Sequence, residues 1–142
     1  MSEARILFAC NQNSVRSPMA AALLRLHQKN DVQIDSAGVY EGGLDPFVEI
    51  VMKELGVDLH DHEPKSIDEI DLNQFNRIIA LTPEAAAALR ERCPDACIEY
   101  WDVENPSDER GGRSAVVEAY TRVRDEISKR LRDRFPEIYE NS

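Results

Sequence analysis

The chain has 142 residues, which is the length of one domain with a hydrophobic core of its own. Hydrophobic residues make up 42% and charged residues 31% of it, as in an ordinary globular protein, and no run of about 18 apolar residues predicts a membrane span. Because 27 acidic residues outweigh 17 basic ones, the net charge of −10 argues against binding to nucleic acid or to an anionic membrane surface.

Short apolar runs alternate with helical patterns from one end of the chain to the other. The apolar runs predict strands at residues 5–9, 32–36, 77–81 and 97–101. Apolar residues at helical spacing predict helices at residues 17–29, 45–55, 83–92 and 113–134. Strands that alternate with helices form βαβ units. We therefore expect an α/β fold: one domain over residues 1–142, with three α/β/α layers around a central, mainly parallel sheet of four strands.

Three predicted helices begin with the same pair of residue types, an N-cap residue followed by proline. The pairs are Ser17-Pro18, Asp45-Pro46 and Thr82-Pro83. The side chain of the first residue accepts a backbone hydrogen bond, and proline suits the first helical position. Leu26 and Leu55 fall on the predicted buried faces of the first two helices, and Gly56 is expected to end the second.

The loop between the first strand and the first helix carries the candidate chemistry. In parallel sheets, ligands bind at the carboxyl ends of strands beside helix N-termini, and the segment from Cys10 to Ser17 lies there. Successive N–H groups and the helix N-terminus attract an anion, and the guanidinium of Arg16 matches two oxygens of a tetrahedral oxyanion. The same groups stabilise a thiolate on Cys10, to which the Ser17 hydroxyl can donate a hydrogen bond. The sequence therefore predicts an anion cradle over a nucleophile, built by Asn11, Gln12, Asn13, Ser14, Val15, Arg16 and Ser17.

The stretch ILFACNQNSVRSPMAAALL resembles the low-molecular-weight protein tyrosine phosphatase family, whose loop typically reads C-x-G-N-x-C-R-S-P. Later segments agree with the family in order: residues 35–38, residues 56–59 with His62, and the strand and helix around residues 77–92. The segment from Trp101 to Asn105-Pro106, with the long helix after it, looks especially like the arsenate-reductase branch of the superfamily.

The resemblance implies a residue-by-residue mechanism. Cys10 is the nucleophile that takes the phosphoryl group as a cysteinyl-phosphate, Arg16 and the loop N–H groups hold the three equatorial oxygens, and Ser17 assists the thiolate. A network that holds the loop in shape is implied at Asn13, Ser36 and His62. The expected substrate is a phosphorylated protein or a small aryl phosphate, with phosphate or arsenate as anion ligand, and no metal or cofactor is expected.

Three positions depart from the family pattern. Gln12 stands where the family usually has glycine, and Val15 stands where many members have a second cysteine. The aspartate that serves the family as general acid is replaced by Asn105, and an amide cannot give a proton to a leaving oxygen. Nearby carboxylates that could substitute for it are Asp102, Glu104 and Asp108.

Several other residues allow two interpretations. Tyr40 and Trp101 either line the substrate cleft or, for Trp101, pack in the core. His60 and His62 are a weak candidate for a metal pair because no third ligand has a suitable spacing. The chain has three cysteines and no basic and apolar leader at its start, so we expect reduced thiols and a cytoplasmic location. Cys93 and Cys97 are either unreactive or have a redox role.

Three function hypotheses follow. The first is a cysteine-dependent phosphomonoester hydrolase of the protein tyrosine phosphatase type. The second is a thiol-dependent arsenate reductase; in its thioredoxin-coupled branch the relay cysteines stand where this chain has Thr82 and Leu89, whereas a small-molecule thiol relay avoids that objection. The third is an oxyanion-binding protein with weak turnover, which the amide of Asn105 favours.

Overall fold

The computed structural model describes residues 4–28, 32–40, 42–59 and 62–140 of the chain. The strands are β1 (Arg5–Cys10), β2 (Gln33–Gly38), β3 (Arg77–Ala80) and β4 (Ile98–Tyr100). The helices are α1 (Arg16–Arg25), α2 (Pro46–Lys53), α3 (Pro83–Arg92), α4 (Arg113–Arg134) and α5 (Pro136–Glu140), and single 3-10 turns lie at Ile67–Glu69, Leu72–Gln74 and Pro106–Asp108. Within the described ranges no helix is both long enough and apolar enough to span a bilayer.

The four strands form one parallel sheet in the order β2-β1-β3-β4, which confirms the predicted fold class. The chain moves from β1 to β2 on one side and later returns to place β3 on the other side. The carboxyl end of β1 is therefore the point where the strand order reverses, and such a point leaves a crevice that binds ligands. Cys10 is the last residue of β1 and pairs in register with Gly38.

Alternate residues of β1 face two separate hydrophobic clusters. Ile6 and Phe8 pack with residues of α1, α2 and α4, whereas Leu7 and Ala9 pack with residues of α3 and the 3-10 turns. All four side chains are fully buried. Burial on both faces explains why the β1 sequence is continuously apolar rather than alternating, and it gives the loop after β1 a rigid floor.

Two helices end earlier than predicted. Because α1 ends at Arg25 and α2 at Lys53, Leu26 and Leu55 lie beyond the helices, and these side chains are 50% and 44% exposed. Their predicted burial is wrong, since the helical periodicity on which it rests stops before them. Gly56 has the left-handed φ of 76° that is expected of a residue after a helix, and the next residue, Val57, donates a backbone hydrogen bond to Met52, but α2 itself already ends at Lys53.

Two of the three predicted caps are confirmed. The side chain of Asp45 accepts a hydrogen bond from the N–H of Phe47, and that of Thr82 accepts one from Ala85. The prediction for Ser17 is wrong: α1 begins at Arg16, its N-cap is Val15, and no side chain caps it. The hydroxyl of Ser17 instead points back into the loop, where it contacts Cys10.

Candidate active site

The loop between β1 and α1 surrounds a small cavity that also touches the 3-10 turn before α4. The residues that line the cavity are Cys10, Asn11, Gln12, Ser14, Val15, Arg16, Asn105 and Ser107. Local sequence brings the first six together, because a strand end and a helix start leave only five residues for the turn between them. The last two come from a segment about ninety positions away, so only the tertiary fold places them here.

Residues outside the five-residue turn bind the carbonyl groups of the loop. Backbone N–H groups donate from Val39 to Cys10 (3.0 Å), from Tyr40 to Asn11 (2.8 Å), from Asp45 to Ser14 (3.0 Å) and from Met19 to Val15 (3.2 Å). The carbonyl of Asn13 accepts a hydrogen bond from Nε2 of His62 (3.0 Å), and because a carbonyl can only accept, that ring nitrogen carries the proton.

These hydrogen bonds also orient the N–H groups of the loop. Each C=O and the N–H that follows it lie on opposite sides of one planar peptide, so the N–H groups of Asn11, Gln12, Ser14, Val15 and Arg16 face away from the outside partners. In the part of the chain that the structure describes, none of these N–H groups donates to a protein acceptor. Together with the free first turn of α1, they form a nest of donors for an anion.

Asn13 holds the loop in shape. It is completely buried and has a φ of 56°, a left-handed conformation that asparagine tolerates better than most residues. Its Nδ2 donates to the hydroxyls of Ser17 (2.9 Å) and Ser36 (3.0 Å), and its Oδ1 accepts the N–H of Lys65 (3.1 Å). The family usually has glycine at the position of Gln12, but the left-handed residue in this loop is Asn13. Gln12 therefore does not need the conformational freedom of glycine.

Cys10 lies at the bottom of the cavity and is 3% exposed. Its Sγ is 2.9 Å from Oγ of Ser17, and that oxygen already accepts a hydrogen bond from Asn13. The proton of the Ser17 hydroxyl is therefore free to point at the sulfur or at the carbonyl of Ala37, which is 3.3 Å away. The sulfur is the nearer acceptor, so the geometry allows this hydroxyl to donate a hydrogen bond to Cys10.

Arg16 carries the positive charge of the cavity. Its Nη1 donates to the carbonyl of Val103 at 2.9 Å, which fixes one side of the guanidinium. Among the residues that the structure describes, no carboxylate forms an ion pair with Arg16. A guanidinium with one anchored N–H and no acidic partner keeps its remaining donors and its charge for an anion.

His62 is half-buried beside the loop. Burial lowers its pKa, and the nearby charges of Arg25 and Lys65 lower it further, although the hydrogen bond to Asn13 opposes the shift. The ring is therefore neutral near pH 7, in the tautomer that supports the carbonyl of Asn13. His60, its proposed partner in a metal pair, lies outside the described residues.

Of the four residues considered for the general acid, only Asn105 lines the cavity of Cys10. Its Oδ1 accepts the backbone N–H of Ser107 (3.1 Å) and the hydroxyl of Ser107 (2.7 Å), so the remaining amide group is the NH₂ donor. The carboxylate of Glu104 is 3.1 Å from Arg122 and, with Asp108, lines a neighbouring cavity. Asp102 is exposed and lies 3.4 Å from the hydroxyl of Tyr100.

The structure does not place Tyr40 or Trp101 in the lining of this cavity. The side chain of Tyr40 is 65% exposed, although its backbone supports the loop through Asn11. Trp101 packs edge to face on Phe8, with ring centroids 6.2 Å apart, and lines a different cavity beside α4. The structure favours the core interpretation of Trp101, because this side chain packs against the core cluster and α4.

Besides Val103, three residues that shape the site were not predicted from the sequence. Gly38 is required by close packing, since a Cβ there would lie 2.5 Å from the N atom of Asn13. Lys65 binds the side chain of Asn13 through its N–H, and its carbonyl accepts the N–H of Gly38. Ser107 fixes the amide of Asn105. Only Gly38 left a signal in the sequence, as part of the segment shared with the phosphatase family.

The positions of the expected relay thiols are filled by other side chains. Oγ1 of Thr82 donates to Oδ1 of Asn11 at 2.6 Å, so this hydroxyl supports the loop, and Leu89 is fully buried in the core. Cys93 follows α3, whose ten residues carry it about 15 Å from the loop end of that helix. Cys97 precedes β4 and therefore lies at the amino ends of the parallel strands, whereas Cys10 lies at their carboxyl ends.

A family model described as low molecular weight phosphotyrosine protein phosphatase matches residues 5–142. The chain belongs to this family. An arsenate reductase of Bacillus licheniformis is 32% identical over 140 residues, which cover 99% of this chain and all of that protein. An arsenate reductase of Bacillus subtilis is 31% identical over 128 residues, or 90% of this chain and 92% of that protein.

Solved structures of the low-molecular-weight phosphatase fold superpose over nearly the whole chain. The low molecular weight protein tyrosine phosphatase from T. tengcongensis is 28% identical, with a TM-score of 0.80 over 95% of this chain and 99% of that one. An arsenate reductase in the phosphate binding state shares the fold, with a TM-score of 0.75, 21% identity and coverage of 98% and 99%. The family is therefore enzymatic, and both activities occur among proteins similar to this chain.

Proposed function

We propose that this protein is a phosphomonoester phosphatase that works through a cysteinyl-phosphate on Cys10. The Sγ thiolate attacks phosphorus, a P–S bond forms, and the bond to the leaving oxygen breaks. Water then attacks phosphorus, the P–S bond breaks, and inorganic phosphate and the Cys10 thiolate are released. The substrate is a phosphorylated protein or a small aryl phosphate.

The geometry of the loop supports this chemistry. The N–H nest and Arg16 surround the place above Cys10 where the three equatorial oxygens of a transferring phosphoryl group would lie. Donors that are already oriented stabilise the charge of the transition state without reorganisation, and this is commonly the largest contribution to catalysis. These residues supply the positive charge that the reaction needs, so the proposal includes no metal and no cofactor.

The choice of phosphatase over thioredoxin-coupled reductase depends on one observation. Thr82 and Leu89 occupy the places of the relay cysteines, and Thr82 holds Asn11 of the loop by a hydrogen bond. The two remaining cysteines of the chain, Cys93 and Cys97, follow α3 and precede β4, far from Cys10. A disulfide relay through them would require α3 or β4 to leave the sheet.

The names of the curated relatives favour a second candidate, arsenate reduction relayed by a small-molecule thiol. Arsenate has the shape and charge of phosphate, so the same nest would hold it. Cys10 would form an S–As bond with loss of water, and an external thiol would attack the sulfur. Arsenic would then leave as arsenite with two electrons, and Cys10 would be left in a mixed disulfide, which a second thiol reduces.

A turnover assay separates these functions. Wild type and Cys10→Ser are assayed with p-nitrophenyl phosphate, and with arsenate plus either thioredoxin or a low-molecular-weight thiol. The matched controls are Cys93→Ser and Cys97→Ser, which remove a thiol elsewhere in the chain. The proposal expects phosphate release that requires Cys10 alone and no arsenite with thioredoxin. Arsenite formed only with the small thiol would favour the second candidate, and phosphate binding without turnover would favour the oxyanion-binding hypothesis that Asn105 raises.

We also propose a cytoplasmic location, because the reaction needs Cys10 as a reduced thiolate and reducing compartments keep cysteines in that form.

A further inference from the structure

Helix α4 is linked to the loop through a single carboxylate. The hydroxyl of Tyr120, in α4, donates to Oδ2 of Asp45 at 2.7 Å. The other oxygen of Asp45 accepts the N–H of Phe47 at 2.8 Å, and the backbone N–H of Asp45 donates to the carbonyl of Ser14 at 3.0 Å. The route from α4 to the loop therefore passes through two hydrogen bonds at Asp45, and the third anchors that residue to the start of α2.

The environment of Tyr120 makes this link rigid. The side chain is 2% exposed, and its ring packs on that of Phe47 with centroids 5.3 Å apart. Burial, followed by the hydrogen bond to Asp45, raises the pKa of Tyr120 well above its ordinary value, so the hydroxyl stays protonated and donates. The carboxylate is thereby held from the side of α4 and from the first turn of α2.

The carbonyl of Ser14 belongs to the same planar peptide as the N–H of Val15. The hydrogen bond from the N–H of Asp45 to that carbonyl consequently sets the direction of the N–H of Val15, which faces the cavity. Other partners hold the neighbouring peptides of the loop, but the Ser14–Val15 peptide is held by Asp45. A change in the position of Asp45 would therefore turn one oxyanion donor while leaving Cys10, Ser17 and the network of Asn13 in place.

We propose that Tyr120 and Asp45 are positioning residues, which aim the N–H of Val15 at the anion through the carbonyl of Ser14. This proposal rests on the proposed function where the test measures kcat. Where the test measures protection of Cys10 by phosphate, it needs only that the loop binds an anion. Tyr120 does not line the cavity of Cys10 and acts through Asp45.

Arg124 provides a matched control, because it joins the same two helices at the far end of α2. Its Nη1 donates to the carbonyl of Val51 (2.7 Å) and to Glu54 (2.8 Å), and its side chain is largely buried. Arg124→Met therefore loosens the contact between α4 and α2 without touching Asp45. Tyr120→Phe removes only the hydroxyl and keeps the ring. Asp45→Ser keeps an N-cap acceptor but is too short to reach Tyr120.

The experiment measures three quantities for each variant: kcat with p-nitrophenyl phosphate, protection of Cys10 from iodoacetate by inorganic phosphate, and the denaturant midpoint of unfolding. Losing a whole oxyanion donor costs about 10² to 10³ in rate, so a misdirected donor in Tyr120→Phe should lower kcat about tenfold and weaken phosphate protection. Arg124→Met should lower the unfolding midpoint but leave kcat within about twofold, since no cavity donor is moved.

The two positioning residues should also act as one unit. Asp45→Ser should lower kcat about as much as Tyr120→Phe, and the double variant should lower it little further, because both changes break the same hydrogen bond. Asp45→Asn, which can still bond to both Phe47 and Tyr120, should restore most of the activity. Equal losses of kcat in Tyr120→Phe and Arg124→Met, or additive losses in the double variant, would overturn the proposal. If wild type does not turn over p-nitrophenyl phosphate, the proposed function fails, and the phosphate protection series alone decides the positioning role.

Discussion

Replacing the amide of Asn105 by a carboxyl group tests how the leaving group departs. Among the residues that the structure describes, no carboxylic acid lines the cavity of the wild type, and the NH₂ of Asn105 can donate a hydrogen bond but not a proton. The rate should therefore depend steeply on the leaving group. p-Nitrophenyl phosphate, whose product is a stable anion, should be cleaved far faster than phenyl phosphate or phosphotyrosine.

The size of the gain in Asn105→Asp follows from the contacts of the side chain. General acid catalysis is worth about 10² to 10⁴ in rate, or about 3 to 5 kcal/mol of activation free energy. The N–H and hydroxyl of Ser107 would donate to the new carboxyl group, and Arg16 lines the same cavity. Both favour the ionised form, which cannot donate a proton, so the gain should lie at the lower end, about 10², and should grow as the pH falls.

The assay compares kcat/KM for a series of aryl phosphates in wild type and Asn105→Asp. Asn105→Ala is the control, because it removes the amide without supplying an acid and should keep the steep dependence. A shallow dependence in wild type would refute the reasoning. In that case Asp102→Asn, Glu104→Gln and Asp108→Asn would show which carboxylate moves in to donate the proton.

Three further predictions concern the loop and its support. Iodoacetate should alkylate Cys10 faster than the other two cysteines, and phosphate should protect it; mass spectrometry that finds another cysteine modified first would contradict the cradle. Arg16→Lys keeps the charge but cannot both bind Val103 and grip two oxygens, so kcat should fall about 10² to 10³ with a smaller loss of phosphate affinity. The lowered pKa of His62 means that the unfolded chain takes up its proton first as the pH falls below about 6.5, so stability should decrease in that window. Urea unfolding of His62→Gln should show less of this decrease. His27→Gln should also remove part of it, because the pKa of His27 is lowered too, mainly by desolvation.

Most of the fold could be predicted from the sequence because the signals are local. A continuously apolar strand requires burial on both faces, and strands that alternate with helices require a parallel sheet. The caps at Asp45 and Thr82 also needed only neighbouring residues. The helix ends could not be predicted as well, since Leu26 and Leu55 continue the apolar spacing after the backbone has left the helix.

In the candidate site, too, the features that depend on neighbouring residues could be predicted, and those that depend on distant segments could not. Sequence alone determined that Cys10, Arg16 and Ser17 lie close together at the two ends of one loop. A strand end, a tight turn and a helix start bring residues within seven positions of each other together, whatever the rest of the chain does. Only the tertiary structure decided what holds that loop: Lys65, His62 and Asp45 reach it from segments 31 to 52 positions away along the chain. It also placed the hydroxyl of Ser17 on the thiol rather than on the helix end, and Asn105 rather than a carboxylate at the cavity. The reason is physical: a hydrogen bond between distant segments depends on how the sheet and helices pack, and that packing leaves no periodic pattern in the sequence.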